Sequence, residues 1–212
     1  MNYEKLLNQN PKWHEARADD PKYNAIAVAI KGALRHVRGT REPQSVVDIG
    51  SSLGYLLQRL DWIPERHGID NYTQIEESWQ APNATPHRID LSNKREIRRC
   101  KVRADLLVCL ATAEHLACPS NGLFHMPLLG MFEIVANPGS VLIFSGATRR
   151  ENGGGHINAR DPEEYMAALQ ARRWRYNHEA SMVLAYEFGR FNGRRRRAAY
   201  YYRNNTMVFD RF

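Results

Sequence analysis

The stretch Ser45-Val46-Val47-Asp48-Ile49-Gly50-Ser51-Ser52-Leu53-Gly54 decides how this chain folds. Its first half is a short apolar run, rich in β-branched residues and ended by glycine, which predicts a parallel strand buried on both faces. Its second half passes straight into a helical pattern carried by Leu53, Leu56, Leu57 and Leu60. Small residues at such a strand-to-helix turn let a ligand come close to the backbone.

Outward from this turn the same alternation continues. Upstream, Ile26, Val28, Ala29, Ile30, Ala33, Leu34 and Val37 predict a helix over 24–37, stopped by Gly39 and Pro43. Downstream, further strands are expected at His67–Asp70, Asp105–Leu110 and Ser140–Ser145. Strands alternating with helices mean a parallel α/β sheet. Asp161-Pro162-Glu163-Glu164 opens a helix expected to run to about Arg173, because it supplies a cap, a proline at the first position and first-turn acids. Two closing strands are expected near Met182–Phe188 and Asn205–Phe209.

With 212 residues, the chain has room for one domain. No apolar run approaches the roughly 20 residues of a membrane span, and Met1–Asn10 lacks the order of a signal peptide, so no membrane partner and a cytoplasmic location are expected. Cys100, Cys109 and Cys118 lack zinc or redox spacing, and reduced structural thiols with no metal site are expected. The net charge of +7 owes much to Arg194, Arg195, Arg196 and Arg197 and favours an anionic partner.

Asp70 follows Gly50 at a separation that lets a carboxylate receive ribose hydroxyls, which together with the glycine turn points to an adenosine ligand. A nicotinamide fingerprint fails at Ser52 and Tyr55, and a P-loop fails because no Gly-Lys-Ser or Gly-Lys-Thr follows.

Asp48-Ile49-Gly50-Ser51-Ser52-Leu53-Gly54 resembles the first motif, D-x-G-x-G-x-G, of the class I S-adenosylmethionine-dependent methyltransferases, with Ser52 replacing the middle glycine. The resemblance extends through Gly68-Ile69-Asp70, Arg88-Ile89-Asp90-Leu91, the segment from Ala104 to Leu116, and Asn137-Pro138-Gly139. It implies an α/β, Rossmann-like class I methyltransferase fold: a mostly parallel seven-stranded sheet with helices on both faces and an antiparallel last strand. Within a single methyltransferase domain, residues 1–44 would be a helical lead-in, 45–147 the cofactor core, and 148–212 an acceptor-side lid, helix and C-terminal hairpin. It further implies S-adenosylmethionine as cofactor, with Asp48 and Gly50 beside the methionyl group, Ser51 and Gly54 also among the cofactor-binding residues, Asp70 at the ribose, Asp90 and Leu91 at the adenine, and Leu110 and Ala111 on the transfer side.

Loops leaving the carboxyl ends of the strands are the candidate acceptor walls. They carry His115 and His156, the eligible general bases, with His156 and Asn158 beyond the glycines 153–155 of an expected mobile lid. His115 could equally be a helix-start residue packed under the sheet edge. The run Arg194–Arg197, followed by Tyr200, Tyr201 and Tyr202, suits an anionic acceptor, whether a small molecule, a saccharide or single-stranded RNA or DNA. Packing of the tyrosines on the sheet is the competing expectation. The leading expectation is methyl transfer to oxygen or nitrogen of an anionic acceptor, with a small molecule or saccharide ahead of RNA or DNA. The alternative is a non-catalytic nucleic-acid-binding module retaining a methyltransferase fold.

Overall fold

The computed structural model describes residues 20–39, 41–72, 76–117, 126–151, 155–190 and 196–212, with backbone alone for Met126 and for residues 196–200. Strand β1 (Ser45–Ile49) lies inside a seven-stranded sheet. Around it run β2 (Glu65–Asp70), β3 (Thr85–Arg88), β4 (Ala104–Leu110), β5 (Ala136–Ser145), β6 (Trp174–Tyr176) and β7 (Thr206–Arg211) in the order β3-β2-β1-β4-β5-β7-β6. The first five are mutually parallel, and β7 is antiparallel to both of its neighbours.

All five residues of β1 are buried, as a strand covered on both faces requires. Alternation then sorts the strand residues between two cores. Val46, Leu106, Val108, Val141, Ile143 and Val208 pack under α1 (Pro21–Arg38), α2 (Tyr55–Arg59) and α6 (His178–Arg190). Val47, Ile49, Leu107, Cys109, Leu142 and Phe144 pack under α4 (Met126–Val135) and α5 (Pro162–Gln170), with Ile97 of α3 (Lys94–Arg99) in the same core. Asp48 shares the parity of Val46 and so projects toward α1.

The helix ends follow local chemistry. The Asp20 side chain accepts from the Lys22 N–H at 3.0 Å, with Pro21 in the first turn of α1, and Gly39 leaves that helix at φ +64°. The Asp161 N–H donates to the Glu164 carboxylate at 3.1 Å where α5 begins. That helix ends at Gln170 rather than Arg173, because Arg173, at φ +63°, turns the chain into β6.

The expected strand over Met182–Phe188 is instead part of α6. Ala180, Leu184 and Phe188 form its buried face at four-residue spacing, while Met182 and Tyr186 point outward. Asn177 caps the helix by accepting from the Ala180 N–H at 3.0 Å. The true sixth strand is only three residues long, too short to show a period. β6 and β7 pair antiparallel without forming the expected hairpin, since α6 and α7 (Arg196–Asn205) lie between them. Among the described residues no helix is long and apolar enough to cross a membrane. Cys100 and Cys109 are free thiols, and Cys118 lies outside the described residues.

Candidate functional site

Gly50 leaves β1 at φ +82°, and the N–H groups of Gly50 and Ser51 donate to the Ile69 carbonyl at 2.8 and 3.1 Å. A Cβ on Gly50 would lie 2.0 Å from Thr112 Oγ1. The Thr112 hydroxyl in turn sits 3.2 Å from the carbonyls of Ile49 and Leu110. Gly50 therefore serves the joint between the ends of β1 and β4 as well as ligand approach. Ser52, standing where the family motif has glycine, adopts φ +52°, the left-handed region where glycine is free and other residues are strained.

The Asp70 carboxylate spans two loops, accepting from the Ser52 N–H at 2.8 Å and from the Tyr72 N–H at 3.2 Å. Asp48 is buried at the end of β1. Burial, reinforced by the negative charge of Asp70, pushes its carboxyl up to about 7, so near neutral pH it is poised between its two forms. The hydroxyls of Ser51 and Ser52 are buried without a hydrogen-bond partner.

Asp48 and the turn from Gly50 to Ser52 open into one pocket, which Asp70 and Gly54 do not border. Asp48, Gly50, Ser51, Ser52, Leu110 and Ala111 form its floor, Lys22, Tyr23 and Ile26 of α1 one wall, and His115, His156 and Tyr202 the other. Sequence spacing had placed most of these residues together. The α1 contribution was not foreseen, because helical spacing reveals a core face without revealing which turn overhangs a strand end. Trp79 was also missed. Its ring would clash with a Cβ on Gly54 or Gly68, at 2.8 and 2.3 Å, so those glycines make room for an indole beside the cofactor turn.

Asp90 and Leu91 follow β3 and do not border this pocket. Asp90 Oδ1 accepts from the Ser92 N–H at 2.8 Å, Leu91 is buried in the α4-side core, and Ile89 ties the loop to the Asp70 carbonyl at 3.0 Å.

On the far wall, a single 3-10 turn, Ala113–His115, follows β4. His115 Nδ1 is 3.1 Å from the Gly155 carbonyl and His156 Nδ1 is 3.0 Å from the Glu151 carbonyl, with the rings edge to face and 5.1 Å apart. The N–H groups of Ile157 and Asn158 donate to the Glu114 carbonyl at 2.8 and 3.0 Å, so the described part of the expected lid is fastened to the turn after β4. Asn158 is buried, its amide donating to the Ala113 carbonyl at 3.5 Å and accepting from Arg160 at 3.0 Å. Asn152, Gly153 and Gly154 lie outside the described residues.

Glu114 is 1% exposed. Its Oε1 accepts from the Tyr201 hydroxyl at 3.0 Å, and its Oε2 is buried without a partner. Burial raises its pKa against the opposing pull of His115, Tyr201 and His156. Tyr201 thus serves the wall and is no stacking platform, while Tyr202 lies stacked on Phe188 and still borders the pocket. Arg194 and Arg195 lie outside the described residues, and Arg196 and Arg197 begin α7, described there by backbone alone.

No family model matches this sequence, and no curated protein matches it. Solved structures with the same architecture do. The sugar N-methyltransferase KedS8 from a Streptoalloteichus species is 13% identical with a TM-score of 0.64, over 100% of this chain and 93% of its own. DesVI of Streptomyces venezuelae is 14% identical with a TM-score of 0.65, over 91% and 93%. The plantazolicin methyltransferase BamL, in complex with a triazolic desmethylPZN analog and SAH, is 14% identical with a TM-score of 0.59, over 98% and 92%. The fold of this chain is the Rossmann-like class I methyltransferase fold.

Proposed function

We propose that this chain is an S-adenosylmethionine-dependent methyltransferase, a single catalytic domain of the cytoplasm, acting on oxygen or nitrogen of an anionic small molecule or saccharide. The observation that carries the proposal is the convergence of unsatisfied polar groups on one pocket at the carboxyl ends of β1 and β4, where ligands bind in open α/β sheets. The hydroxyls of Ser51 and Ser52 need partners, and the Asp48 carboxylate needs a cation. The ammonium and hydrogen-bonding groups of an aminoacyl moiety supply all three. Asp70, held by backbone N–H groups at both oxygens, keeps acceptor capacity for ribose hydroxyls. Asp90 and Leu91, on the neighbouring loop, would meet the adenine.

When bound, S-adenosylmethionine would supply an electrophilic methyl group on its sulfonium, for an acceptor lone pair to take in line with S-adenosylhomocysteine as the leaving group and the acceptor proton lost to a base or to water. Leu110 and Ala111 line the transfer side. The His115 and His156 imidazoles, on the wall opposite α1, deal with the acceptor proton. Lys22, on the α1 wall and paired with Asp20, would give an anionic acceptor counter-charge, and the Arg194–Arg197 run of the sequence would add to it. The solved structures of like fold include a sugar N-methyltransferase and a plantazolicin methyltransferase, which supports small acceptors of this kind. Free thiols at Cys100 and Cys109 fit a reducing compartment.

The test is calorimetric titration with S-adenosylmethionine and S-adenosylhomocysteine against the wild type and Asp48→Asn. Asp48 is the better target than Asp70, whose loss would also free the N–H groups of Ser52 and Tyr72. Saturable binding that the substitution abolishes is expected; a folded wild type that binds neither compound overturns the proposal and favours a nucleic-acid-binding module.

A further inference from the structure

We propose that Glu114, His115 and His156 form a binding site for a divalent first-row metal, of the manganese-to-zinc series, on the acceptor wall of the pocket. One ligand atom from each of the three lies within 4.8 Å of the others. Two imidazoles and one carboxylate are a ligand set that holds such ions while leaving coordination positions open. Ligand atoms around a tetrahedral ion with bonds of about 2.1 Å sit ~3.4 Å apart. From a spread of at most 4.8 Å, the set therefore has to draw in by ~1.4 Å at its widest.

Three independent features prepare these side chains to coordinate. A carbonyl oxygen only accepts, so the Nδ1 atoms of His115 and His156 donate to Gly155 and Glu151, and in the neutral form of each ring the lone pair then lies on Nε2. Backbone carbonyls in this role fix the tautomer and orientation of metal-ligating histidines. Glu114 is buried with Oε2 unpartnered, a costly arrangement for a carboxylate that a dication satisfies. The loops are also fastened together before any metal arrives: Ile157 and Asn158 donate to the Glu114 carbonyl, and Gly155, at φ +84°, brings its backbone against His115.

His115 and His156 border the pocket that also holds Asp48 and Ala111. The open positions of the metal would face that space, where an acceptor hydroxyl or anionic oxygen could bind. This role rests on the methyl-transfer reading; binding of the metal does not. Coordination acidifies an acceptor hydroxyl, so its proton can leave to water, and the histidines then act through the metal instead of as free bases. No motif spacing announced the site, because Glu114 and His115 leave β4 whereas His156 lies beyond β5.

The experiment uses chelator-stripped wild-type protein titrated calorimetrically with Zn2+, Mn2+ and Co2+, alongside Glu114→Gln and His156→Ala. Each protein is also titrated with S-adenosylhomocysteine. One saturable site is expected in the wild type, weakened at least a hundredfold in either variant, with the intense visible absorption of a four- or five-coordinate cobalt centre. A wild-type cobalt spectrum identical to that of the free aqueous ion overturns the site, and this result does not depend on how the variants fold. Undiminished binding in His156→Ala overturns it equally. S-adenosylhomocysteine binding without metal binding removes the metal site and leaves the methyltransferase reading standing; the reverse pattern removes the methyltransferase reading alone.

Discussion

Asp48→Asn should make the protein more stable and at the same time disable it. In the unliganded chain the Asp48 carboxyl is raised from 3.8 to about 7 by burial and by Asp70. At about 1.4 kcal/mol per unit, keeping it ionised at about pH 8 costs the fold roughly 4 kcal/mol. The sign follows from proton linkage. Between the two values the folded state holds a proton that the unfolded state has lost, so this group's contribution is complete below 3.8 and disappears as pH rises through about 7. Asparagine keeps the shape and has no charge to bury. Wild type and variant should therefore be similar near pH 4 and diverge by about 2 to 4 kcal/mol near pH 8. For a chain of this size that is a melting-temperature gain of roughly 5 to 10 °C. Scanning calorimetry across that range measures it. The same variant should bind S-adenosylhomocysteine at least a hundredfold more weakly, because the ligand ammonium loses its counter-charge. Wild-type affinity should itself rise with pH up to about 7, where the competing proton leaves. Parallel stability profiles for the two proteins, or retained binding in the variant, would refute the reasoning.

Ser52→Gly relieves a left-handed residue at φ +52° and removes a buried hydroxyl without a partner, so it should stabilise the unliganded protein by about 0.5 to 1 kcal/mol after the extra chain entropy of glycine, read by urea denaturation. Gly50→Ala should do the opposite, since its Cβ meets Thr112 Oγ1 at 2.0 Å; a loss of at least 3 kcal/mol and of cofactor binding is expected in paired denaturation and calorimetry. Asn158→Ala strips the buried links to the Ala113 carbonyl and Arg160, and should cost about 1 to 3 kcal/mol while speeding amide exchange at Ile157 more than in the central strands.

The parallel core was legible because buried strands are short and apolar, and β1, β4 and the second half of β5 have that character, whereas β2 shows it only at Gly68-Ile69. The turn after β1 was legible for a related reason: tight turns restrict residue type, and Gly50, Gly54 and Asp70 occupy positions that few residues can fill. Past residue 160 the signal weakened. Met182–Phe188 carries residues that suit a strand, and only its docking on α1 and β7 through Leu184 and Phe188 decides for a helix. The pocket wall opposite α1 depended on contacts between distant segments, such as Tyr201 with Glu114 and Asn205 with Glu151, and no local pattern encodes such pairs. Ser52 was visible as a departure from the family motif, but its meaning needed a backbone angle.

Several unfavourable features of this molecule meet at the pocket. Among the described residues, two of the four non-glycine residues with positive φ, Ser52 and Ala111, stand at the ends of β1 and β4. Beside them lie the unpartnered Ser51 and Ser52 hydroxyls, the raised Asp48 carboxyl and the unpartnered Glu114 oxygen. In the sheet interior, by contrast, β1, β4 and β5 bury aliphatic side chains on both faces with their backbone groups paired. Strain and unsatisfied polarity persist only where the surrounding structure holds them in place, and they concentrate where a ligand can relieve them. The two groups of defects differ in kind. Around Asp48 they call for a cation and hydrogen-bonding groups from an organic ligand, whereas around Glu114 the carboxylate and two imidazoles call for a metal. One pocket thus carries two separable demands, and titrating each ligand in the absence of the other separates them.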